Sequence, residues 1–464
     1  MEAGLFRFLR FSLGLEGEAK GLLDGRKGSF DWDACYQFAK RQTLVGVLFD
    51  GIQRLPKELA PARPLLLRWL SDSESIRRRN MRIDRASAYI YNKVCAAGFR
   101  CCILKGQGNA LLYPHPSSRT PGDVDVWVMA NREELRHIAL SLTEGDGSSL
   151  QESLNHIGLT VHGVSVELHS TPALLNSPLH NSRLQKWLKR NADLQCSNRI
   201  ALPNNAGEVS VPTVSFNIIY QLCHLFHHCF YEGVGLRQIV DYYFVLMNTD
   251  FSGNTDEASG NTDGVSGNTD EGCLFLNTDF TDFTDKVSGN TDEGCFLLNT
   301  DSTDFTDSSS GDFEGDGCFL NMDCADFLDS SSGGLGEVDS GGALVALQEE
   351  LKWLGLWEFA GAVMYVLREV MGLDEKRMIC APDERRGRLL LEEIMAGGNF
   401  GHYDTRNHFG QGALWHNIQR FRRDWRMLRF YPSEALSEPL FRAWHFLWRW
   451  KQKHIGMPKE RNLN

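Results

Sequence analysis

The residues best equipped for chemistry fall in one stretch, Ile103-Leu-Lys-Gly-Gln-Gly-Asn-Ala-Leu-Leu-Tyr113 followed by Arg119-Thr-Pro-Gly-Asp-Val-Asp-Val-Trp-Val128. Val124, Val126 and Val128 alternate with Asp123, Asp125 and Trp127, as expected of a half-buried strand, so the two aspartates point to one face. Carboxylates held that close repel unless a cation compensates, which is a physical reason to expect Mg²⁺. Upstream, the apolar run Cys101 to Leu104 meets Lys105-Gly106. A strand turning there into a helix would offer free backbone N–H groups and a positive helix end to phosphates. A third carboxylate, Glu167, lies in Val164-Ser-Val-Glu-Leu-His169. If that run pairs beside the Asp123 strand, three acids converge.

The rest of the chain must position these groups. Residues 1–98 read as helical: Asp31 to Leu55 has helical apolar spacing ending at Pro56, and Ser71 to Ser75 supplies N-cap candidates for a long helix reaching Gly98. Residues 99–205 read as an α+β unit, with a helix over Asn131 to Leu142, Asn131 as a possible cap, and a hairpin of Ile157 to His162 and Val164 to His169 joined at Gly163. Helical spacing returns from Val214 to Leu246, then over Leu344 to Met371, Arg385 to Ala396 and Leu440 to Lys453. The C-terminal helical region is therefore 206–247 plus 343–464, interrupted by an insert at 248–342.

The chain has 464 residues and a formal net charge of -12. The charge is unevenly placed: Asn248 to Gly342 holds 22 of the 60 acidic residues and one of the 48 basic ones, Lys286. That leaves 38 acidic and 47 basic residues elsewhere, a basic remainder that favours an anionic ligand. Within the insert, Ser266-Gly-Asn-Thr-Asp-Glu-Gly-Cys273 recurs as Ser288-Gly-Asn-Thr-Asp-Glu-Gly-Cys295, with a degraded third copy from Ser310. Short apolar runs such as Leu274 to Leu276 are too few to offset the entropy of ordering, so the insert reads as a disordered, low-complexity expansion loop. No run reaches membrane-spanning length and the N-terminus lacks signal-peptide architecture, which leads to the expectation of a cytoplasmic protein with reduced thiols.

Strand, glycine turn, helix, Asp-x-Asp on the next strand and a lone acid on a later one resembles the DNA polymerase β-type nucleotidyltransferase superfamily. More narrowly, Leu104-Lys-Gly106, Arg119-x-x-Gly-Asp-Val-Asp125 and Val166-Glu-Leu-His169 resemble an uncharacterised bacterial nucleotidyltransferase family. His224-Leu-Phe-His-His228 and Gly235-Leu-Arg-Gln-Ile-Val-Asp241 resemble its helical half. The resemblance implies a polymerase β-like domain flanked by helical regions. It also implies transfer of a nucleoside monophosphate from an NTP to a small-molecule or protein acceptor, with Mg²⁺ or Mn²⁺. Asp123 and Asp125 would hold the metals, Glu167 would help hold the catalytic one or activate the acceptor, and Lys105, Gly106, Gln107, Arg119 and Gly122 would face the nucleotide. The superfamily usually carries serine after the glycine, where this chain has Gln107. A catalytically silent nucleotide-binding protein is the alternative, and a nucleic-acid substrate is the less favoured third reading.

His169, His228, Arg237 and Asp241 are second-tier candidates for a substrate pocket. His224 and His228 have the spacing of a helix metal pair but lack the glutamate of a metalloprotease motif, so hydrogen-bonded packing is the expectation. Arg237 and Asp241 have the spacing of a helix salt bridge. Gly397 to Gly401 reads as a helix C-cap and turn, and Trp444, Phe446, Leu447 and Trp448 read as a buried seam.

Overall fold

The computed structural model describes residues 2–17, 30–143, 150–249, 340–404, 406 and 413–455. The acidic insert at 248–342, with its expected disorder, lies outside them apart from its ends.

Four helices open the chain: α1 (Glu2–Ser12), α2 (Trp32–Arg41), α3 (Val45–Gln53) and α4 (Arg63–Ala96). The long helix begins earlier than Ser71, because Pro64 sits in its first turn, where a missing N–H costs nothing. A sheet unit follows: β1 (Cys101–Leu104), α5 (Gly106–Ala110), β2 (Val124–Val128), α6 (Arg132–Leu142), β3 (Gln151–Glu152), β4 (His156–Val161) and β5 (Val164–His169). Then come α7 (Pro178–Ser197), a separate hairpin of β6 (Arg199–Leu202) and β7 (Gly207–Ser210), α8 (Val214–Tyr231) and α9 (Leu236–Met247). The remaining helices are α10 (Ser340–Trp353), α11 (Trp357–Met371), α12 (Glu384–Gly397), α13 (Ala413–Leu428) and α14 (Pro432–Ile455). None of these helices is long and apolar enough to cross a membrane.

The main sheet has the order β1-β2-β5-β4-β3, antiparallel except for the central β2/β5 pair. Asn131 caps α6 in a reciprocal capping box with Glu134. His162 and Gly163, both at positive φ, make the two-residue turn between β4 and β5. Every residue of β2 is buried, not only one face. Its valines pack with Ile103, Val166 and Leu168 against Ile83, Ile90 and Val94 of α4 and Leu135 and Ile138 of α6. On the other face Trp127 stacks on Phe216 of α8, which stacks in turn on Trp187 of α7, with centroids 5.9 and 4.6 Å apart. Asp123 and Asp125 share this second face, so α8 roofs the strand end that carries them.

Of the expected seam in α14, Trp444, Phe446 and Leu447 are on the surface, 51%, 61% and 61% exposed, and the burial of Trp448 lies outside what is described. The helix instead buries Glu434 and Glu438, and Glu434 accepts from the backbone N–H groups of Asn176 and Ser177, just before α7, at 2.7 and 3.2 Å. The described cysteines are all free; six are buried, Cys196 is half-buried and Cys95 is exposed.

The N-terminal helices press on the segment before the site at Gly46. A Cβ on Gly46 of α3 would collide with the carbonyl oxygen of Ser118, the residue before Arg119. Gly46→Ala is therefore expected to cost about 1–3 kcal/mol, as over-packing does. Gly397→Ala, where a Cβ meets nothing within 4 Å, should leave the thermal midpoint nearly unchanged. Equal midpoints for the two variants would show that α3 does not press on this loop.

Candidate active site

The site starts from a backbone constraint. Between β1 and α5 the chain reverses at Lys105, which has φ 49° and ψ -124°, and Gly106 follows at φ 31°. A lysine in that region is disfavoured and persists only where its surroundings hold it. Its Nζ is held 2.9 Å from Asp125 Oδ2 and 3.2 Å from His224 Nε2 on α8. Gly106 is required by its φ, since a Cβ there would meet only the Asp123 carbonyl at an ordinary 3.8 Å.

The β2/β5 register places Asp125 directly beside Glu167 and Trp127 beside His169. Side chains on parallel neighbours in register share a face, so Asp123, Asp125, Glu167 and His169 gather at one end of the sheet. Oxygens of Asp123, Asp125 and Glu167 lie within 4.8 Å of one another. His169 Nε2 stands 2.9 Å from Asp125 Oδ1 and 3.3 Å from Glu167 Oε2. The electrostatics follow. Repulsion from Asp125, then burial, raises Asp123 above the ordinary carboxylate range. Burial pushes Asp125 up, but Lys105 and His169 more than reverse that and hold it well below. Glu167 is also lowered: burial raises it, and the hydrogen bond from His169 outweighs that together with smaller charge effects. The same two carboxylates raise His169 against its own burial.

A cleft opens over Asp123 and Asp125, lined among others by Lys105, Gly106, Arg119, Gly122, Arg237 and Asp241, while Glu167 and His169 stand outside its lining. Arg119 is buried and bound to Asp241 through two 2.7 Å hydrogen bonds, and Tyr113 Oη donates to the same carboxylate at 2.7 Å. The expected helix pair of Arg237 and Asp241 is thus replaced. Asp241 is engaged by Arg119 and Tyr113, and Arg237 donates to the Thr120 carbonyl at 2.8 Å. Two guanidinium groups against one carboxylate leave this wall of the cleft positive.

The structure does not bring every candidate into this group. Gln107 is buried and donates to Asp84 of α4, away from the cleft lining. His228 lies one layer back, its Nε2 2.9 Å from that of His224 and its ring on Phe400. Burial, with Lys105 and His228 nearby, holds His224 well below the usual imidazole value, so it is neutral. His224, Gln221, Gln238 and Phe400 all line the cleft, and sequence reasoning did not assign them to the site. His224 and Gln238 stood inside the quoted motifs. Phe400, in a segment that reads as a turn, gave no signal beyond its φ of 52° in the fold.

Residues 28–258 match the profile of a family described as "Uncharacterised nucleotidyltransferase". The match takes in the whole sheet, α8 and α9, and with them the Lys105, Asp123, Asp125 and Glu167 cluster. This family match on a mixed α+β chain supports nucleotidyl transfer as the general class of function. No curated protein matches the chain. Among solved structures, an antigenic nucleotidyltransferase-like protein from Paracoccidioides brasiliensis is similar at 15% identity, over 36% of this chain and 76% of that one, with a TM-score of 0.24. So slight a likeness bears no weight.

The Arg119–Asp241 pair makes a prediction about acid stability. Burial raises Asp241, and Arg119 reverses this, so its folded pKa lies below the unfolded value of about 3.9. A group lowered in this way contributes stability above the unfolded pKa and loses it as pH falls through the folded one. Asp241→Asn should cost about 3–5 kcal/mol at pH 7, because Arg119 is left buried and unpaired. The variant should also lose stability less steeply than wild type below about pH 4. Urea midpoints at several pH values test both; an unchanged midpoint at pH 7 would refute the pair's importance.

Proposed function

We propose that this protein moves a nucleoside monophosphate group from a nucleoside triphosphate to a small-molecule or protein acceptor, with Mg²⁺ or Mn²⁺, pyrophosphate leaving as the acceptor bonds to the α-phosphorus. The reading is carried by the three carboxylate oxygens of Asp123, Asp125 and Glu167 within 4.8 Å, beside a lysine on the strand turn.

The residues fit a divalent cation. Three acids face Lys105 and His169, and Asp123, exposed to the cleft, is held above the ordinary carboxylate range by its neighbour. Such a raised carboxylate is what an uncompensated anionic cluster produces. When bound by these acids, the ion would supply charge neutralisation and polarise a phosphoryl oxygen. The remaining work belongs to the chain. Lys105 is only partly buried and can exchange Asp125 for a phosphate oxygen without leaving the cleft. Arg119 and Arg237, fixed by Asp241 and the Thr120 carbonyl, set a positive wall that favours an anionic ligand in one orientation. Phe400 and Leu225 supply apolar lining.

A second reading, a catalytically silent nucleotide-binding protein, has a specific observation behind it. Both oxygens of Asp125 are already engaged, one by Lys105 and one by His169, and Gln107 is turned to Asp84. The experiment that separates the two is calorimetric titration of the four NTPs with Mg²⁺, followed by a transfer assay with α-labelled NTP. Asp123→Ala/Asp125→Ala should lower transfer at least about 100-fold, the scale on which one lost contact to developing charge is felt. Lys105→Ala should weaken nucleotide binding roughly 10-fold or more, as loss of a charge-assisted hydrogen bond does. Wild-type binding without transfer to any acceptor would favour the silent reading. Full transfer by the folded double variant would refute the assignment of the acids.

A further inference from the structure

We infer that His156, Glu167 and His169 form a second metal site, suited to a transition ion such as Zn²⁺, and that it shares Glu167 with the carboxylate triad. His156 on β4 and His169 on β5 are partners in the antiparallel register, and Glu167 lies two residues before His169 on the same strand. Alternation along a strand therefore puts all three side chains on one face. One nitrogen from each ring and one carboxylate oxygen lie within 4.8 Å of one another.

The spacing also suits ligands that share one ion. His156 Nε2 lies 3.6 Å from Glu167 Oε1, too long for a hydrogen bond, and His169 Nε2 lies 3.3 Å from Glu167 Oε2. Two atoms each about 2.0–2.1 Å from a tetrahedral ion stand roughly 3.4 Å apart. His169 Nε2 here holds a proton between Asp125 and Glu167; an ion taken at that nitrogen displaces the proton to solvent and leaves Asp125 to Lys105.

Two imidazole nitrogens with one carboxylate select against Mg²⁺, which takes oxygen ligands, and in favour of Zn²⁺, Co²⁺ or a related ion. Three protein ligands also leave a coordination position open. Because Glu167 belongs to both groups, an ion held by the histidines draws it away from Asp123 and Asp125. Zn²⁺ then opposes Mg²⁺ at the neighbouring site. This consequence rests on the proposed function; the metal site does not.

The test needs no nucleotide. The full chain is titrated with Co²⁺, read by visible absorption, and with Zn²⁺ by equilibrium dialysis, in wild type, His156→Gln and Asp123→Asn. Folding is checked by far-ultraviolet circular dichroism. The expected result is one high-affinity ion per chain, bound at least 10-fold more weakly by His156→Gln and unchanged in Asp123→Asn. Unchanged uptake by His156→Gln overturns the proposal, as does a loss confined to Asp123→Asn, which would place the ion on the triad. Zn²⁺ uptake retained in an Asp123→Asn protein that has lost transfer would show the two claims to be independent. Intense near-ultraviolet cobalt–thiolate bands would assign the ion to cysteine and overturn the site.

Discussion

Three carboxylates on one face of two adjacent strands repel one another, and much of the surrounding structure serves to keep them there. The parallel register of β2 and β5 is the primary constraint, since a slip of one residue would turn Glu167 to the opposite face. That register is secured on one side by the valine face against α4 and α6, and on the other by Trp127 beneath Phe216 and Trp187. Lys105 and His169 then divide Asp125 between them. The strained turn at Lys105 is the local cost of placing a cation there.

The same constraint explains why helices distant in sequence belong to the site. Burying Arg119 is tolerable only because Asp241 accepts it in two hydrogen bonds and Tyr113 completes the carboxylate. That pair ties α9 to the segment leading into β2. Asn80 of α4 holds the same segment, donating to the carbonyls of Ser117 and Arg119 at 2.9 Å each. α3 presses on it at Gly46. The helical regions before and after the sheet therefore meet at the loop that sets Gly122 and Asp123.

The sheet unit was legible in the sequence because its signals are local. Alternation in Val124 to Val128, the cap at Asn131 and the Gly163 turn each depend on a few adjacent residues. So did the convergence of Asp123, Asp125 and Glu167, which needed only the pairing of two strands. What the sequence hid were choices made between distant elements. Arg237 and Asp241 have helix-pair spacing, yet Asp241 binds Arg119 through two hydrogen bonds, while Arg237, also buried, is met by the Thr120 carbonyl instead. Phe400 and His224 enter the cleft by tertiary placement, which no local pattern reports.

The C-terminal hairpin of α13 and α14 shows the limit of periodicity most clearly. Trp444 and Leu447 have core spacing, but spacing records only that a helix has an apolar stripe, not which way it turns. Here the opposite face is claimed by acids with particular partners: Glu434 binds the backbone leading into α7 and Glu438 pairs with Arg442 at 3.2 Å. Asp424, buried beside Glu438, is pushed up to about 7 by that burial and by its neighbour's charge. A carboxylate bound to backbone N–H groups inside the fold fixes the helix rotation more firmly than an apolar stripe, since rotating it outward would leave those donors unsatisfied. The aromatic face is outward because the polar face is needed within.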